Sequence, residues 1–303
     1  MRCKAELFCA LLACLLLGGC APQAEVVQTP AAVSPSPLPE IHLPEHREAG
    51  GSRETRLYHN GLLLDRAYER DGVLFVSPET LGELGGEALE VRIDADSFAI
   101  ESANLSMRGE KQQQYMQANH RYLFSPEGYL VEEGRLYLSQ AVLERVFGVT
   151  LTVYGEEPRR LELKDTKLQI LPGGEGWYEL NHDAETLYWL PRVIYAESKA
   201  QPMEGLIGVG NVVLNRVNSP DFPDTVLQVI FDRKYAVQFA PAVTKGILDT
   251  PDERSTVAAC LCLEGYSTVG DSMYFVNPEK GNDRWFREAL RFVCTYGEHD
   301  FYA

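Results

Sequence analysis

Glu197 closes an apolar helical stripe. Leu187, Leu190 and Ile194 recur at three- and four-residue steps, and the next step on that face is Glu197. A carboxylate there is withdrawn from water by the core and sits near the negative end of the helix dipole. Both effects disfavour its charge and should raise its pKa. A carboxyl that stays protonated near neutral pH is what glycosidic-bond cleavage requires, because the leaving oxygen must receive a proton in a dry site. The competing reading is a helix-end residue paired with Lys199 or Arg192.

Other chemistries find less support. A two-carboxylate glycosidase needs a second acid, for which Glu204, Asp221 and Asp224 are the candidates. Glu204 reads rather as a cap of the following helix, and the aspartates rather as shaping the loop "NSPDFPDT". A zinc amidase would need ligands at HExxH-like spacing, which His182 and His299 do not supply. Cys260 and Cys262 lie in the apolar helical run "TVAACLCLEGY" and read as buried thiols rather than nucleophiles. A bridge from one of them to Cys294 stays open. No metal or other cofactor is expected. Acidic residues outnumber basic ones, 44 to 28, which argues against a nucleic-acid partner.

These residues need elements to hold them. Asp183 can cap a helix running to Glu197, with Pro191 either kinking it or opening a second segment. Pro202 and Glu204 begin a second helix, "MEGLIGVGNVVLNRV", with Leu206, Val209, Val213 and Val217 on one face. "ERSTVAACLCLEG" reads as a helix ended by Gly265, and "SMYFVNP" as a strand. Asn211 and Asn215 read as buried structural amides, and His299 as a satisfied structural histidine.

Upstream, from about residue 56 to 165, the pattern is strand-rich and repeats itself. "DGVLFVSPETLGELGG" aligns without gaps on "EGRLYLSQAVLERVFG", matching Ser77 to Ser139 and Gly86 to Gly148. Each copy reads as strand, Ser N-cap, short helix and second strand. Asn60-Gly61 signals a tight hairpin. Residues 166–182, with Pro172, Gly173, Gly174 and Gly176, read as a linker. Residues 21–55 carry six prolines among Ala, Ser, Gln and Glu and read as an extended tether. The fold expected is α+β: an N-terminal strand-rich two-repeat domain and a C-terminal mainly α domain over 183–303.

Three resemblances sharpen this reading. Residues 1–20, with Arg2, Lys4, an apolar run from Leu7 to Leu17 and "LLGGC", resemble a bacterial lipoprotein signal. The resemblance implies lipidation of Cys20, and so a membrane-anchored or secreted extracytoplasmic protein. The two-copy region resembles the copper amine oxidase N-terminal-like (stalk) domain, although His59 and His120 form no ligand cluster and no copper is expected. The stretch "RVIYAESKAQPMEGLIGVGNVVLNRVNSPDFPDTVLQVIF" resembles the cell-wall hydrolase family of spore cortex-lytic enzymes. Gln238-Phe239, then Tyr274-Phe275 with Asn277-Pro278, and a terminal Gly297, His299 and Phe301 continue that pattern in order.

The last resemblance implies a lysozyme-like fold and a lytic transglycosylase acting on peptidoglycan glycan strands, with Glu197 as its one essential acid. Gln238, Phe239, Tyr274 and Asn277 become substrate-binding candidates, since sugar sites combine amides with aromatic platforms. Hydrolysis by a muramidase and non-catalytic peptidoglycan binding are the alternatives. The sequence departs from the family pattern at Ser198-Lys199-Ala200-Gln201, where Ala-Arg-Gly-Glu is usual, and at Pro191.

Overall fold

A computed structural model describes residues 51–155, 159–234, 239, 246–280 and 284–303. The chain begins with β1 (Arg53–His59), β2 (Leu62–Arg70) and β3 (Val73–Val76), joined by two-residue turns. Asn60 and Gly61 both have positive φ (51° and 75°), as do Asp71 and Gly72 (52° and 82°). Paired positive φ values make turns whose twist matches that of the flanking strands.

The internal repeat is visible in three dimensions. β3 leads through Ser77 into α1 (Pro78–Gly85), and β10 (Arg135–Ser139) leads through Ser139 into α2 (Gln140–Phe147). The two strands are antiparallel neighbours, pairing Val76 with Leu138 and Phe75 with Ser139. Both helices end on a left-handed glycine, Gly86 (φ 75°) and Gly148 (φ 64°). Ser139 caps its helix by accepting from the Val142 N–H, whereas Ser77 donates to Glu79 at 2.5 Å. The copies then diverge. β11 (Leu151–Tyr154) and β12 (Arg160–Leu163) stay in the first sheet, ordered β11-β12-β1-β2-β3-β10-β9, with β9 at Tyr129–Glu132. After α1 the chain instead enters a five-stranded meander, β4 (Glu90–Ile93), β5 (Ser97–Glu101), β6 (Ser106–Glu110), β7 (Tyr115–Ala118) and β8 (Arg121–Phe124).

The segment read as a linker is packed. The N–H groups of Gln169 and Leu171 donate to the Phe147 and Val146 carbonyls, and Leu171 is buried in the strand-rich core. It continues into α3 (Trp177–Asn181).

The remaining chain is helical with a small sheet. Asp183 caps α4 (Ala184–Ser198) by accepting from the Thr186 N–H, and α4 is one helix through Pro191. It is followed by α5 (Met203–Val217), α6 (Val226–Phe231), α7 (Glu253–Leu263) and α8 (Arg284–Ala289). Leu206, Ile207, Val209, Val212 and Val213 of α5 are all fully buried, each contributing about 1.5–3 kcal/mol of hydrophobic stabilisation. Gly208 and Gly210 let neighbours come close: a Cβ on Gly210 would lie 2.6 Å from Cys262 Sγ and 2.9 Å from Ile194 Cδ1. Tyr115 and Phe124 of the meander are buried in this same helical core. β13 (Tyr274–Val276), β14 (Phe292–Tyr296) and β15 (His299–Tyr302) form the last sheet, with β15 central. Among the described residues, no helix is long and apolar enough to cross a membrane. Cys260, Cys262 and Cys294 are free thiols.

Candidate active site

Glu197 lies on the last turn of α4, three and four residues beyond the fully buried Ile194 and Val193. Its Oε1 is buried and has no hydrogen-bond partner among the described residues. Burial alone pushes its pKa up to about 7. The ion-pair alternative is not realised. Arg192 donates to the Tyr188 carbonyl at 2.7 Å and stacks on the Tyr188 ring at 3.6 Å. Lys199 places its ammonium 4.7 Å from the Tyr195 ring centre.

The turn after Glu197 is fixed from three sides. Ser198 donates its hydroxyl back to the Ile194 carbonyl at 2.7 Å. Gln201 accepts the Glu298 N–H on Oε1 at 2.8 Å and the Arg254 guanidinium on its carbonyl at 3.0 Å. Gly297, at φ 58°, leaves no room for a Cβ, which would fall 2.0 Å from that same Oε1. Gln201 therefore docks the β14–β15 turn onto the α4–α5 turn. Sequence reasoning noted the residue only as a departure from the family pattern, yet its amide oxygen supplies the acceptor the turn needs.

The strand β13, paired with β15, and the residues just after it carry two of the candidate binding residues. Asn277 donates to Glu298 Oε2 at 2.8 Å and accepts the Glu279 N–H at 3.0 Å. Lys280 also reaches Glu298 Oε2 at 2.8 Å, and that contact holds the Glu298 carboxyl below its ordinary range. Tyr274 sits in a ring cluster with Phe222, Trp285 and Phe286. Phe239 is 1% exposed, 6.2 Å from the Phe275 ring, and so belongs to the core here. Gln238 and Cys20 lie outside the described residues.

One buried polar group was not anticipated, and another is not satisfied as expected. Arg216 is 4% exposed among the rings of Phe222, Phe239 and Tyr274, at 5.0, 5.3 and 5.3 Å. Its Nε donates to the Met273 carbonyl at 2.8 Å, and burial pulls its pKa down to about 10. His299, expected to be satisfied, is buried against Phe275 with Nδ1 lacking a partner among the described residues. Burial lowers its pKa and favours the neutral ring. Asn211 and Asn215 are structural: Asn211 bridges the Tyr266 carbonyl and the Thr268 N–H, while Asn215 donates to the Gly270 and Ser272 carbonyls. Glu204 does not cap α5; it accepts from Gln114 of the strand-rich half at 2.7 Å. Asp221 and Asp224 are exposed in the loop before α6. Two clefts, of about 720 and 410 Å³, are lined mainly by strand-rich residues such as Asn104 and His120, or Arg108 and Tyr115. Glu197 lines neither.

Comparison with known proteins assigns the helical half. Residues 200–302 match the family model described as Cell Wall Hydrolase, so this chain carries a cell wall hydrolase domain. Glu197 stands three residues ahead of the matched range. The spore cortex-lytic enzyme of Halalkalibacterium halodurans is 34% identical over 112 residues, covering 37% of this chain and 33% of that one. That of Bacillus cereus is 32% identical over 112 residues, 37% of this chain and 42% of its own. The Bacillus subtilis enzyme is 28% identical over 128 residues, 42% and 39% of the two chains. The match thus spans 33% to 42% of the length of these relatives. The solved catalytic domain of the germination-specific lytic transglycosylase SleB from Bacillus anthracis is 28% identical, covering 40% of this chain and 97% of that one, with a TM-score of 0.37.

Proposed function

We propose that this protein is a peptidoglycan glycosidase of the lytic transglycosylase type, with Glu197 as its general acid and base. The observation that carries the reading is a carboxyl oxygen buried without a partner among the described residues, its pKa pushed up to about 7, beside a cell wall hydrolase domain. Such a group enters the reaction protonated.

The chemistry balances with one carboxyl. Glu197 gives its proton to the oxygen joining N-acetylmuramic acid to the next sugar, and the C1–O bond breaks. The carboxylate left behind takes the proton of the muramic acid 6-hydroxyl, whose oxygen bonds to C1. A 1,6-anhydro ring closes, no water is consumed, and Glu197 ends protonated as it began. The substrate supplies the nucleophile, which makes a second carboxylate dispensable. The enzyme acts outside the cytoplasm, held to the membrane through Cys20 by a lipid anchor, with the proline-rich segment ahead of β1 as tether and the strand-rich half as stalk. The expected tether boundary at residue 55 moves back, because Arg53, Glu54 and Thr55 already pair in β1.

Glycan strands digested with the wild-type chain and with Glu197→Gln, followed by mass spectrometry, test this reading. Anhydromuramic ends from the wild type alone support it. Reducing ends without anhydro sugars mean a hydrolase, and no cleavage by the wild type rejects catalysis.

A further inference from the structure

A single exposed apolar side chain is ordinary, but an exposed indole braced by a set of neighbouring rings is a ready-made platform for a flat ligand. Trp285 and Phe292 are 53% and 52% exposed, and their rings belong to one connected set. Trp285 meets Tyr274 at 5.9 Å and 79°, and Phe286 at 5.2 Å and 78°. Phe286 and Phe292 in turn both meet Tyr302, at 5.8 and 5.7 Å. Tyr274 is backed by the buried Arg216 guanidinium, 5.3 Å from its ring centre. Trp285 is therefore a half-exposed indole seated on a fixed base. A ring held this way loses little conformational freedom when a ligand covers it.

The chain just beyond the other end of β13 is polar. Asn277 and Lys280 both bond the Glu298 carboxylate at 2.8 Å, and the Glu298 N–H is fixed to Gln201, four residues after Glu197. Three strand steps separate Tyr274 from Asn277, roughly 10 Å. One edge thus presents an aromatic platform at one end and amide, carboxylate and ammonium groups at the other, the polar end tied to the turn beyond the acid. A pyranose ring offers the complementary surface: an apolar C–H face to stack on a ring, with hydroxyl and acetamido groups to hydrogen-bond beside it.

We propose that Trp285 is a stacking platform for an N-acetylhexosamine ring of the glycan strand, at a subsite away from the bond being cleaved. The proposal rests on the glycosidase reading for its ligand, but it concerns binding and not proton transfer. Trp285 is a positioning residue in that scheme.

The two readings separate in one experiment. Peptide-free glycan strands are titrated calorimetrically into full-length Glu197→Gln protein, alone and combined with Trp285→Ala, Trp285→Phe or Phe292→Ala. Loss of the indole should weaken binding about tenfold, since a stacked ring is worth roughly 1.4 kcal/mol. Trp285→Phe should recover most of that loss, and Phe292→Ala, equally exposed but without the Tyr274 contact, should bind as the parent does. In protein retaining Glu197, Trp285→Ala should raise KM with kcat little changed. Binding by Trp285→Ala within about twofold of the parent overturns the platform, as does an equal loss in Phe292→Ala. Cleavage by the wild type with Trp285-independent binding rejects the platform and leaves the catalytic reading. Trp285-dependent binding without cleavage does the reverse.

Discussion

Arg121 reaches across 143 residues to hold both carboxylate oxygens of Glu264 with Nε and Nη2, at 2.5–3.1 Å. The side chains are 8% and 1% exposed. Arg145 and Tyr178 add bonds to the same carboxylate at 3.1 and 3.2 Å, and the Arg121 guanidinium lies 3.8 Å from the Trp177 ring. Glu264 follows α7 in the helical half, whereas its partners come from the strand-rich half and the segment joining the two. Removing one member of a buried ion network strands the others without solvent. Glu264→Ala should therefore cost about 3–5 kcal/mol, measured by urea unfolding.

The proposed mechanism links activity and stability to pH through Glu197. With Glu197 as the proposed general acid, cleavage should fall as pH rises through about 7, and Glu197→Gln should abolish it at every pH. The folded pKa lies above the ordinary value of 4.5. The native state therefore binds this proton more tightly than the unfolded state, and the stability it contributes is complete below about 4.5 and lost as pH rises to about 7. Above that window, Glu197→Gln should be more stable than the wild type by on the order of 3 kcal/mol, with no gap at pH 4. Parallel unfolding curves at both pH values check the sign.

Packing between α4, α5 and α7 is sensitive at Gly210. A methyl group there meets Cys262 Sγ at 2.6 Å and Ile194 Cδ1 at 2.9 Å, both in fully packed surroundings. Gly210→Ala should cost about 1–3 kcal/mol. Adding Cys262→Ala should recover part of the loss and not all, because Ile194 still crowds the site.

The three described thiols should be inert in the native state. Burial pushes Cys260 up to about 12 and Cys294 to about 11, and moves Cys262 in the same direction. Thiolate is the reactive form, so alkylation at neutral pH should label these positions only after denaturation. Peptide mapping after iodoacetamide treatment reads this directly, and reducing agent should leave the melting temperature unchanged.

What could be read from sequence followed from local rules. The apolar stripe placed Glu197 on a buried helix face. The gapless repeat matched Ser77 to Ser139 ahead of both helices, although only Ser139 makes the side-chain cap bond expected of each. Helices α4, α5 and α7 and the β13 strand followed from periodicity. What stayed hidden depends on contacts between distant segments. Nothing in the local pattern ties Arg121 to Glu264, Gln114 to Glu204, or Gln201 to the Gly297 turn. The burial of Phe239, and of a His299 nitrogen without a partner among the described residues, likewise arise only once the last sheet packs against the helices. The linker shows the same limit: its glycines and prolines signal a break in pattern, and the backbone nonetheless bonds α2.

The buried Glu264 has a bearing on modularity. Its three side-chain donors, Arg121, Arg145 and Tyr178, all precede Asp183, and Tyr266 just beyond it packs against Phe124 of the meander at 6.2 Å. A fragment begun at Asp183 would carry a carboxylate stripped of its guanidinium partners and a tyrosine stripped of its cover. The helical half of this chain is thus not a cassette to be moved intact between proteins. Grafting it elsewhere would require redesign at Glu264 and Tyr266, far along the chain from the acid that would do the cutting.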